Sequence, residues 1–430
     1  MNEMKLNIET LEGRLVPATL SFVDSPLGYR GQINQTEKIA VRWSDPVVDF
    51  DINDISFTKN GKPLGKGLTN VIPNGNGKDF TIIGLLNIAS GPGDYSLTID
   101  QAGVKEEISD QLFIPAGNCD YTLTWKQMSG SVESFGADWY NFGVLKVPST
   151  AKLDTVSVVS GANHGLALRA NGSIVTWGIK ESNLQTPPVK FDPTNPFVQV
   201  AASWGGSAVL RKDGSVSIWG SFWGTFGSSN VNKTFYTNDV VSISIQSNLL
   251  MLHRDGSVTS IDLDPSYKAT LPVKITNAID VSAGRELHSI LRADGTVYSW
   301  GYSKVHTELL TSGKSFGYIV DVACGTNNIM FKTDRGVTRI LGQTDYLCES
   351  FNQLGSSVFR PRKLVANSNF ASLIDNNGNL VGTFNNWKNY SKSMNVLDSS
   401  NGWTHSFVVL GTTKRLPLSW MPRLTVTTNP

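Results

Sequence analysis

Histidines are the residues of this 430-residue chain best suited to acid–base or metal chemistry, and three of the five occupy one recurring position. His164, His288 and His405 each follow a turn of small or polar residues and precede an apolar run. A histidine repeated at one place in a repeated motif is more typical of a structural hydrogen bond than of a single catalytic centre. We therefore expect each ring to bond inside its own repeat unit. The other two histidines are His253 and His306.

Motifs for enzymatic chemistry are missing from the sequence. It contains no HExxH, GxSxG, Walker lysine loop or GxGxxG at a strand–helix junction. Asp49, Asp51 and Asn53 suggest a calcium loop, but such a loop needs glycine where Asp54 stands and glutamate where Asn60 stands. The sequence thus predicts a protein that is not an enzyme and has no cofactor and no metal.

Three cysteines, Cys119, Cys324 and Cys348, form no CxxC pair. An odd count without that spacing is typical neither of a disulfide framework nor of a zinc site. Buried thiols are the expected state, and a bridge between Cys324 and Cys348 stays open.

The composition favours turn-rich β structure. The chain has 40 glycines, 40% hydrophobic residues and only 17% charged residues, with a formal net charge of +1. A charge so close to neutral gives no reason to expect nucleic-acid binding. The sequence has no run of eighteen apolar residues, so no membrane span is expected.

A repeat of about 40 residues organises most of the chain. One glycine marks each copy, at spacings of 39 to 42 residues: Gly130, Gly172, Gly214, Gly256, Gly295, Gly336 and Gly378. In most copies Asp or Asn precedes it, and such a pair between alternating apolar runs is a strong hairpin signal. Each copy then reads as a three- or four-stranded antiparallel unit. Stacking such units around an axis covers their faces, which predicts an all-β fold with a β-propeller.

Two blade counts fit these copies. In the first, the strand from His405 joins a segment that begins at Trp125, and the two ends of the chain complete a seventh blade. In the second, the run from Leu112 is already half a repeat, which gives eight blades. Seven is the expectation, because joined ends leave no exposed edge.

The repeats resemble those of the regulator of chromosome condensation (RCC1) family. The match lies in Ser160–His164, Leu166–Leu168, Ala283–Gly284 and His288, and the resemblance covers about 300 of the 430 residues. It implies a propeller that acts through protein contacts. It also leaves open nucleotide exchange on a small GTPase, as well as a propeller that binds or processes carbohydrate.

Two further resemblances lie before the repeats. Leu11–Thr19 is similar to the LExRxxPA element near the start of planctomycete proteins thought to be exported, and the run from Val41 resembles bacterial Ig-like modules. The expected organisation is a leader at 1–18, an Ig-like β-sandwich at 19–115 and a propeller at 116–430.

The function expected from these features is a rigid platform for a protein partner, monomeric and extracellular or at the cell surface. Aromatic residues outside the repeated positions are the candidate anchors, since aromatics are enriched at protein interfaces. The candidate binding residues are Trp139, Tyr140, Trp204, Trp223 and Trp403.

Overall fold

The structure is a computed structural model that describes residues 18–25, 33–109, 112–115, 117, 119–179, 187–222, 228–264, 270–271, 273–301, 317–342, 361–366, 371–382, 395–402, 404–411 and 421–428. Within these residues the regular structure is all β, apart from three single 3-10 turns. The expectation of an all-β chain is confirmed for this part of the molecule.

An N-terminal module contains the first eleven strands and the last one. These strands are β1 (Leu20–Asp24), β2 (Ile39–Trp43), β3 (Val47–Val48), β4 (Ile55–Lys59), β5 (Lys62–Leu64), β6 (Asn70–Pro73), β7 (Asp79–Ile83), β8 (Gly93–Asp100), β9 (Lys105–Ser109), β10 (Leu112–Pro115), β11 (Cys119–Gln127) and β34 (Arg423–Thr428). They form three sheets in the orders β1-β2-β7-β6, β10-β9-β3 and β34-β11-β8-β4-β5.

Alternating apolar residues build the core of this module. Along β11 the side chains of Tyr121, Leu123 and Trp125 are buried and their neighbours less so, which is the period-two pattern of a strand with one face on a core. The Trp125 ring stacks on Tyr95 of β8 with centroids 5.6 Å apart. The N-terminal module extends past the boundary expected at residue 116. β11 pairs with β8 of the module, and β34, near the other end of the chain, pairs with β11.

The repeats form a second set of sheets. Their strands are β12 (Ser131–Gly136), β13 (Thr155–Ser160), β14 (His164–Arg169), β15 (Ile174–Gly178), β16 (Phe197–Ala202), β17 (Gly206–Arg211), β18 (Val216–Phe222), β19 (Ser228–Phe235), β20 (Val240–Ile245), β21 (Asn248–His253), β22 (Val258–Asp262), β23 (Ala278–Ala283), β24 (Leu287–Arg292), β25 (Val297–Gly301), β26 (Ile319–Cys324), β27 (Asn328–Thr333), β28 (Thr338–Gly342), β29 (Lys363–Ala366), β30 (Ala371–Ile374), β31 (Leu380–Gly382), β32 (Val396–Asn401) and β33 (His405–Leu410). In the described residues they make seven antiparallel sheets, six of three strands and one of four.

These sheets stand side by side in a ring. The first strands of successive sheets contact one another in the order β13, β16, β20, β23, β26, β29 and β32, and β32 returns to contact β13. β12 completes the last sheet by pairing with β33, which also pairs with β32. One sheet is thus built from segments more than 250 residues apart, and it joins the two ends of the repeat region.

The marker glycines have the backbone that the hairpin signal requires. Six of them, beginning with Gly172 and Gly214, have φ between +76° and +86°, the left-handed region that glycine enters without steric cost. The hairpin prediction is confirmed at these six positions. Gly130 differs, because it forms an isolated bridge with Thr155.

A glycine of another kind allows two sheets to pack closely. A Cβ at Gly165 of β14 would lie 2.7 Å from the Phe407 ring of the next sheet and even nearer the Trp177 ring. We expect Gly165→Ala to lower the free energy of unfolding by about 1–3 kcal/mol through overpacking. Urea unfolding followed by tryptophan fluorescence measures the loss. Gly65→Ala is the matched control, because a Cβ there meets nothing within 4 Å; equal losses in both variants would contradict the packing argument.

Candidate functional site

A polar channel runs along the axis of the ring. Its cavity of about 310 Å³ is walled by residues from the first strand of each of the seven sheets, and Ile33–Lys38 of the N-terminal module also lines it. A volume near 300 Å³ is at the lower end of the range for small-ligand pockets.

One polar position recurs in each first strand, and in five of the seven strands its residue lines the cavity. It follows a register shift in all but one sheet and holds Ser157, Gln199, Ser242, Asp280, Asp321, Lys363 and Asp398. Of these residues, Gln199 and Ser242 line the cavity with neutral side chains, and Asp280, Asp321 and Lys363 line it with charged ones. The channel wall is therefore neutral on one side and charged on the other.

Much of this polar wall holds neighbouring sheets together. The carboxylate of Asp398 accepts hydrogen bonds from the Ser157 hydroxyl at 2.8 Å and from the Val158 backbone N–H at 2.9 Å. Side-chain oxygens accept in the same way from a backbone N–H of the adjacent first strand in the pairs Gln199–Ile243, Ser244–Ala283, Ser282–Cys324 and Ser400–Ser160. These groups are structural, because their acceptor sites serve the next sheet.

Ion pairs occupy the charged side. The Lys38 ammonium from the module contacts both Asp280 and Asp321, the latter at 3.3 Å. Lys332 pairs with Asp24 at 3.0 Å. Burial by itself would lower the pKa of Lys38, but the two aspartates outweigh burial and hold that pKa above its ordinary value. The Lys38 cluster, meaning Lys38 with Asp280 and Asp321, joins the module to the ring inside the channel.

The repeated histidines bond between sheets. Nε2 of His164 is 3.0 Å from the Ser207 hydroxyl, Nε2 of His405 is 2.8 Å from that of Ser160, and Nε2 of His288 is 3.5 Å from that of Ser247. Each serine belongs to the neighbouring sheet, so the expected bond inside the same unit is wrong. The structural role itself fits the geometry, because the two sheets of each pair are held by these contacts.

Burial keeps these imidazoles neutral. It lowers the pKa of His164 to about 3 and the pKa values of His288 and His405 to about 4. His253 is placed differently, with Nδ1 at 3.0 Å from the Asp239 carboxylate and Nε2 at 2.8 Å from the Thr259 hydroxyl. His306 lies outside the described residues.

The cysteines that can be described are both free thiols. Cys324 is buried, its sulfur is 2.8 Å from the Ser289 hydroxyl, and burial raises its pKa to about 12. Such a thiol is a poor nucleophile at neutral pH. Cys348 lies outside the described residues. Among the residues that are described, no group of three or more His, Cys, Asp or Glu side chains could hold a metal ion.

The two faces of the ring differ in what covers them. The hairpin face carries the turns of the marker glycines, and the module lies on it: Asn70 and Asn87 donate to the carbonyls of Arg254 and Lys212, at 2.9 and 3.0 Å. The turn face is the opposite one and carries the turns at 161–163, 203–205, 246–247, 284–286 and 325–327.

Three of the predicted binding residues are exposed at the turn face. Trp204 lies in a turn there, is 44% exposed, and has the Arg285 guanidinium 5.2 Å above its ring. Trp139 and Tyr140 follow β12, with 72% and 56% exposure. β12 ends at this face, since the Ala137 N–H donates to the Thr404 carbonyl at 2.9 Å. Trp223 and Trp403 lie outside the described residues.

Sequence reasoning missed the insertion of Lys38 into the channel. The run around it, Asn34-Gln35-Thr36-Glu37-Lys38, has the composition of an ordinary polar linker. The one available signal was the aspartate at the shared first-strand position in Asp280 and Asp321, where three other copies carry serine or glutamine. No helix in the described part of the chain is long and apolar enough to cross a membrane.

Comparisons with known proteins agree on the fold. No protein-family model matches the sequence. The regulator of chromosome condensation of Xenopus laevis is 26% identical over 161 residues, which is 34% of this chain and 31% of that protein. The matched stretch thus spans about a third of the length of that relative.

The similar solved structures include Prp20p of Saccharomyces cerevisiae, described with its binding to Gsp1p and histones, at TM-score 0.52 and 13% identity over 67% of this chain and 93% of that one. Yeast RCC1 (Prp20) bound to Kap60 has a TM-score of 0.50 and 13% identity, over 66% of this chain and 90% of that one. Human WBSCR16 has a TM-score of 0.50 and 15% identity, over 65% of this chain and 98% of that one. Identities this low bear on the fold alone, and on that point all three agree with the repeat pattern. The chain has an RCC1-like β-propeller fold.

Proposed function

We propose that this protein is a non-enzymatic, monomeric binding platform: a seven-bladed RCC1-like propeller that holds a protein partner on its turn face. The N-terminal module, which we take to be an Ig-like sandwich, serves as the support on the other side. The five aromatic residues predicted from sequence are the proposed anchors, with Trp139, Tyr140 and Trp204 as those that can be described.

The observation that carries the proposal is the asymmetry of the ring. On the hairpin face the module packs against Arg254 and Lys212, and its residues Ile33–Lys38 line the channel. We therefore place the partner on the opposite, turn face, where Trp139, Tyr140 and Trp204 are exposed. Large aromatic side chains exposed there are of the type that dominates binding energy at protein interfaces.

The loop that carries two of these aromatics is held in shape by its own hydrogen bonds. The Asp138 carboxylate accepts from the backbone N–H groups of Phe142 and Gly143 at 2.9 and 2.8 Å. The Tyr140 ring stacks on Phe142 with centroids 5.6 Å apart. A loop fixed before binding loses less conformational entropy on association, which favours affinity.

The relatives support a protein partner as the ligand class. The solved neighbours include Prp20 in a complex with Kap60, and Prp20p described with its binding to Gsp1p and histones. We carry over only the class of ligand and name no partner for this chain.

The test is crosslinking of the tagged full chain in extract of its native source, followed by mass spectrometry. We expect a saturable protein partner, with crosslinks concentrated on the turn face. The double variant Trp139→Ala, Trp204→Ala should reduce its enrichment at least about tenfold, given about 2 kcal/mol for each anchoring aromatic. Retention of the same partner by the double variant, or no saturable partner, contradicts the proposal.

Tyr236→Ala is the matched control for that experiment. Tyr236 is 80% exposed but lies at the hairpin face, where the neighbouring Thr237 hydroxyl donates to the Gly214 carbonyl at 3.0 Å. This variant should bind as the parent does. If the captured protein is a small GTPase, a nucleotide-exchange assay then separates the exchange alternative from simple binding.

We also propose that the protein is exported and acts extracellularly or at the cell surface. The support is the similarity of Leu11–Thr19 to the LExRxxPA element. Fractionation of native cells with an antibody to the propeller tests this part separately. Recovery in the cytosol alone would contradict export and leave the binding proposal standing.

A further inference from the structure

Strand β34 is held to the rest of the molecule along one side only. It stands at one end of the five-stranded sheet of the module, next to β11, and no other strand in the described part of the chain pairs with it. All six of its residues are exposed, including Leu424 at 36% and Val426 at 52%. The backbone pairing with β11 therefore holds this strand with little help from side-chain burial.

β11 does not depend on β34 for its own place. It pairs with β8 over eight residues, from Asp120 to Gln127, and its side chains Tyr121, Leu123 and Trp125 belong to the buried core of the module. Strands with few buried apolar contacts open locally at a low free energy, whereas core strands open only with the whole fold. β34 can thus detach while β11 and β8 remain paired.

The other edge of the same sheet is better secured. β5 also has no buried residue, but a two-residue turn, Asn60-Gly61, joins it to β4, the strand with which it pairs. β34 follows β33 of the ring, and the Arg423 that begins it lies 299 residues after Thr124 of β11. No short turn returns a detached β34 to its partner, and closing a long loop costs more conformational entropy than closing a short one.

We propose that β34 is a replaceable strand, which leaves β11 by local opening so that the edge of β11 accepts an extended segment of another protein in its place. The chain has one strand for this edge, so in a monomer the replacing segment comes from outside. The exchange concerns the module and not the turn face, and the two binding proposals can fail independently of each other.

The strand now in place defines the segment that fits. Leu424 and Val426 lie opposite Leu123 and Tyr121, so they share the face of the sheet that carries the core. The residues beside them, such as Thr425, point to the other face and are polar. A replacing segment must therefore alternate apolar and polar side chains, with its apolar ones on the core side. Its backbone supplies the hydrogen bonds, and its apolar side chains supply the specificity.

Hydrogen exchange of the full chain tests the local opening. Peptides covering β34 are compared with peptides covering β8, the other neighbour of β11, after correction for intrinsic exchange rates. We expect protection of β34 to be at least about a hundredfold lower than protection of β8, because β34 opens locally and β8 opens only with the module. Equal protection of the two strands would overturn the proposal.

A labelled synthetic peptide of residues 421–430 tests the exchange itself. In the parent, the tethered β34 competes with the peptide at a high effective concentration, so the peptide should bind weakly. The double variant Leu424→Asp, Val426→Asp places two charges on the core side of β34, where they carry a desolvation cost that should release the strand. We expect this variant to bind the peptide at least about tenfold more tightly than the parent does. A peptide with the same two substitutions should not bind.

The double variant Thr425→Asp, Thr427→Asp is the matched control. It adds the same two charges to the polar face of β34, where water solvates them, so the strand should stay paired and the peptide should bind as weakly as it does to the parent. Equally tight binding to both double variants, or to neither, contradicts exchange at the β11 edge. The hydrogen-exchange comparison uses the parent alone and decides even if a variant does not fold.

Sedimentation of the parent at rising concentration identifies the source of the segment. We expect a monomer throughout. A dimer that is lost in Leu424→Asp, Val426→Asp would mean that a second copy of this chain supplies the strand, and it would overturn the assignment to another protein.

Discussion

Replacing Asp398 by alanine is expected to lower the free energy of unfolding by about 3–5 kcal/mol, because its buried carboxylate accepts two hydrogen bonds and a bond to a charged acceptor contributes about 1.5–3 kcal/mol. The Asp398 side chain is fully buried and contacts the Lys363 ammonium. Its carboxylate also accepts hydrogen bonds from the Ser157 hydroxyl and the Val158 backbone N–H. The alanine variant leaves the buried Val158 N–H and the Ser157 hydroxyl without their acceptor, which carries a desolvation cost. The Lys363 ammonium also loses its ion-pair partner, but its side chain is 35% exposed and water can take over part of that contact.

The place of Asp398 in the ring adds to the expected effect. It stands on β32, the first strand of the last sheet, and its hydrogen bonds to β13 close the ring across 240 residues of sequence. The same carboxylate reaches Lys363 on β29 of the sheet before. One side chain thus holds three consecutive first strands together.

Urea unfolding at pH 7 measures the loss, and Ser244→Ala is the matched control. Ser244 accepts one backbone N–H, that of Ala283, at 2.9 Å in the equivalent seam between β20 and β23. Loss of one neutral hydrogen bond should cost about 1 kcal/mol. Asp398→Asn keeps an acceptor for Val158 and should fall between the two. If Asp398→Ala lost no more stability than Ser244→Ala, the ring would not depend on this carboxylate.

Local turn chemistry explains what could be predicted of the fold. A residue such as Gly172 or Gly214 fixes a left-handed turn whatever lies around it, so the hairpins and their spacing could be derived from the sequence. Trp204, which stands beside a glycine in a turn, is 44% exposed, as that position in a turn predicts. In each case the decisive interactions are between residues close together in the chain.

Pairing between distant segments could not be derived in the same way. The alternation in β11, with Tyr121, Leu123 and Trp125 on one face, suits a propeller blade as well as the β8 edge that it pairs with. β34 shows the same ambiguity, because any edge of matching length could receive it. Alternation shows which face of a strand is buried and carries no information on its neighbour.

For residues that contact a neighbouring sheet, the sequence predicted the structural role but not the contact partner. The repeat position of His164 and His405 indicated a structural role, but the serine partner of each lies in the neighbouring sheet. A repeat pattern is read within one unit, and contacts between units depend on how the ring closes. The entry of Lys38 into the channel is the extreme case, because it depends on how the module lies on the ring.

Acidification from pH 7 to pH 5 is expected to destabilise the propeller by about 2 kcal/mol for each of its three buried histidines. The pKa of His164 is lowered to about 3 and those of His288 and His405 to about 4, with burial as the main cause. In the unfolded chain these rings take a proton near pH 6.5, while in the folded protein they stay neutral. The unfolded state therefore binds more protons below about pH 6.5, and stability falls with pH until the folded-state pKa values are reached.

Asp280 changes the free energy of unfolding in the opposite direction between pH 7 and pH 5, so the histidines are best measured in a variant without this carboxylate. Its pKa of about 7 in the folded protein means that acidification stabilises the folded state at this site. The parent should therefore lose only about 4 kcal/mol between pH 7 and pH 5, roughly two thirds of what the three histidines would remove alone. In an Asp280→Asn background this compensation is absent, and the loss should approach about 6 kcal/mol.

Replacing one histidine by glutamine measures how much that histidine contributes to the loss of stability between pH 7 and pH 5. In His288→Gln the side-chain amide nitrogen can take the place of Nε2 near the Ser247 hydroxyl, but it does not titrate. Measured by urea unfolding in the Asp280→Asn background, this variant should stay within about 1 kcal/mol of its parent at pH 7 and recover about 2 kcal/mol of the acid loss at pH 5. A loss between pH 7 and pH 5 that is the same with and without His288 would mean that the buried ring is protonated in the folded state. The hydrogen bonds between sheets would then have to form with a charged imidazole, against the burial that surrounds it.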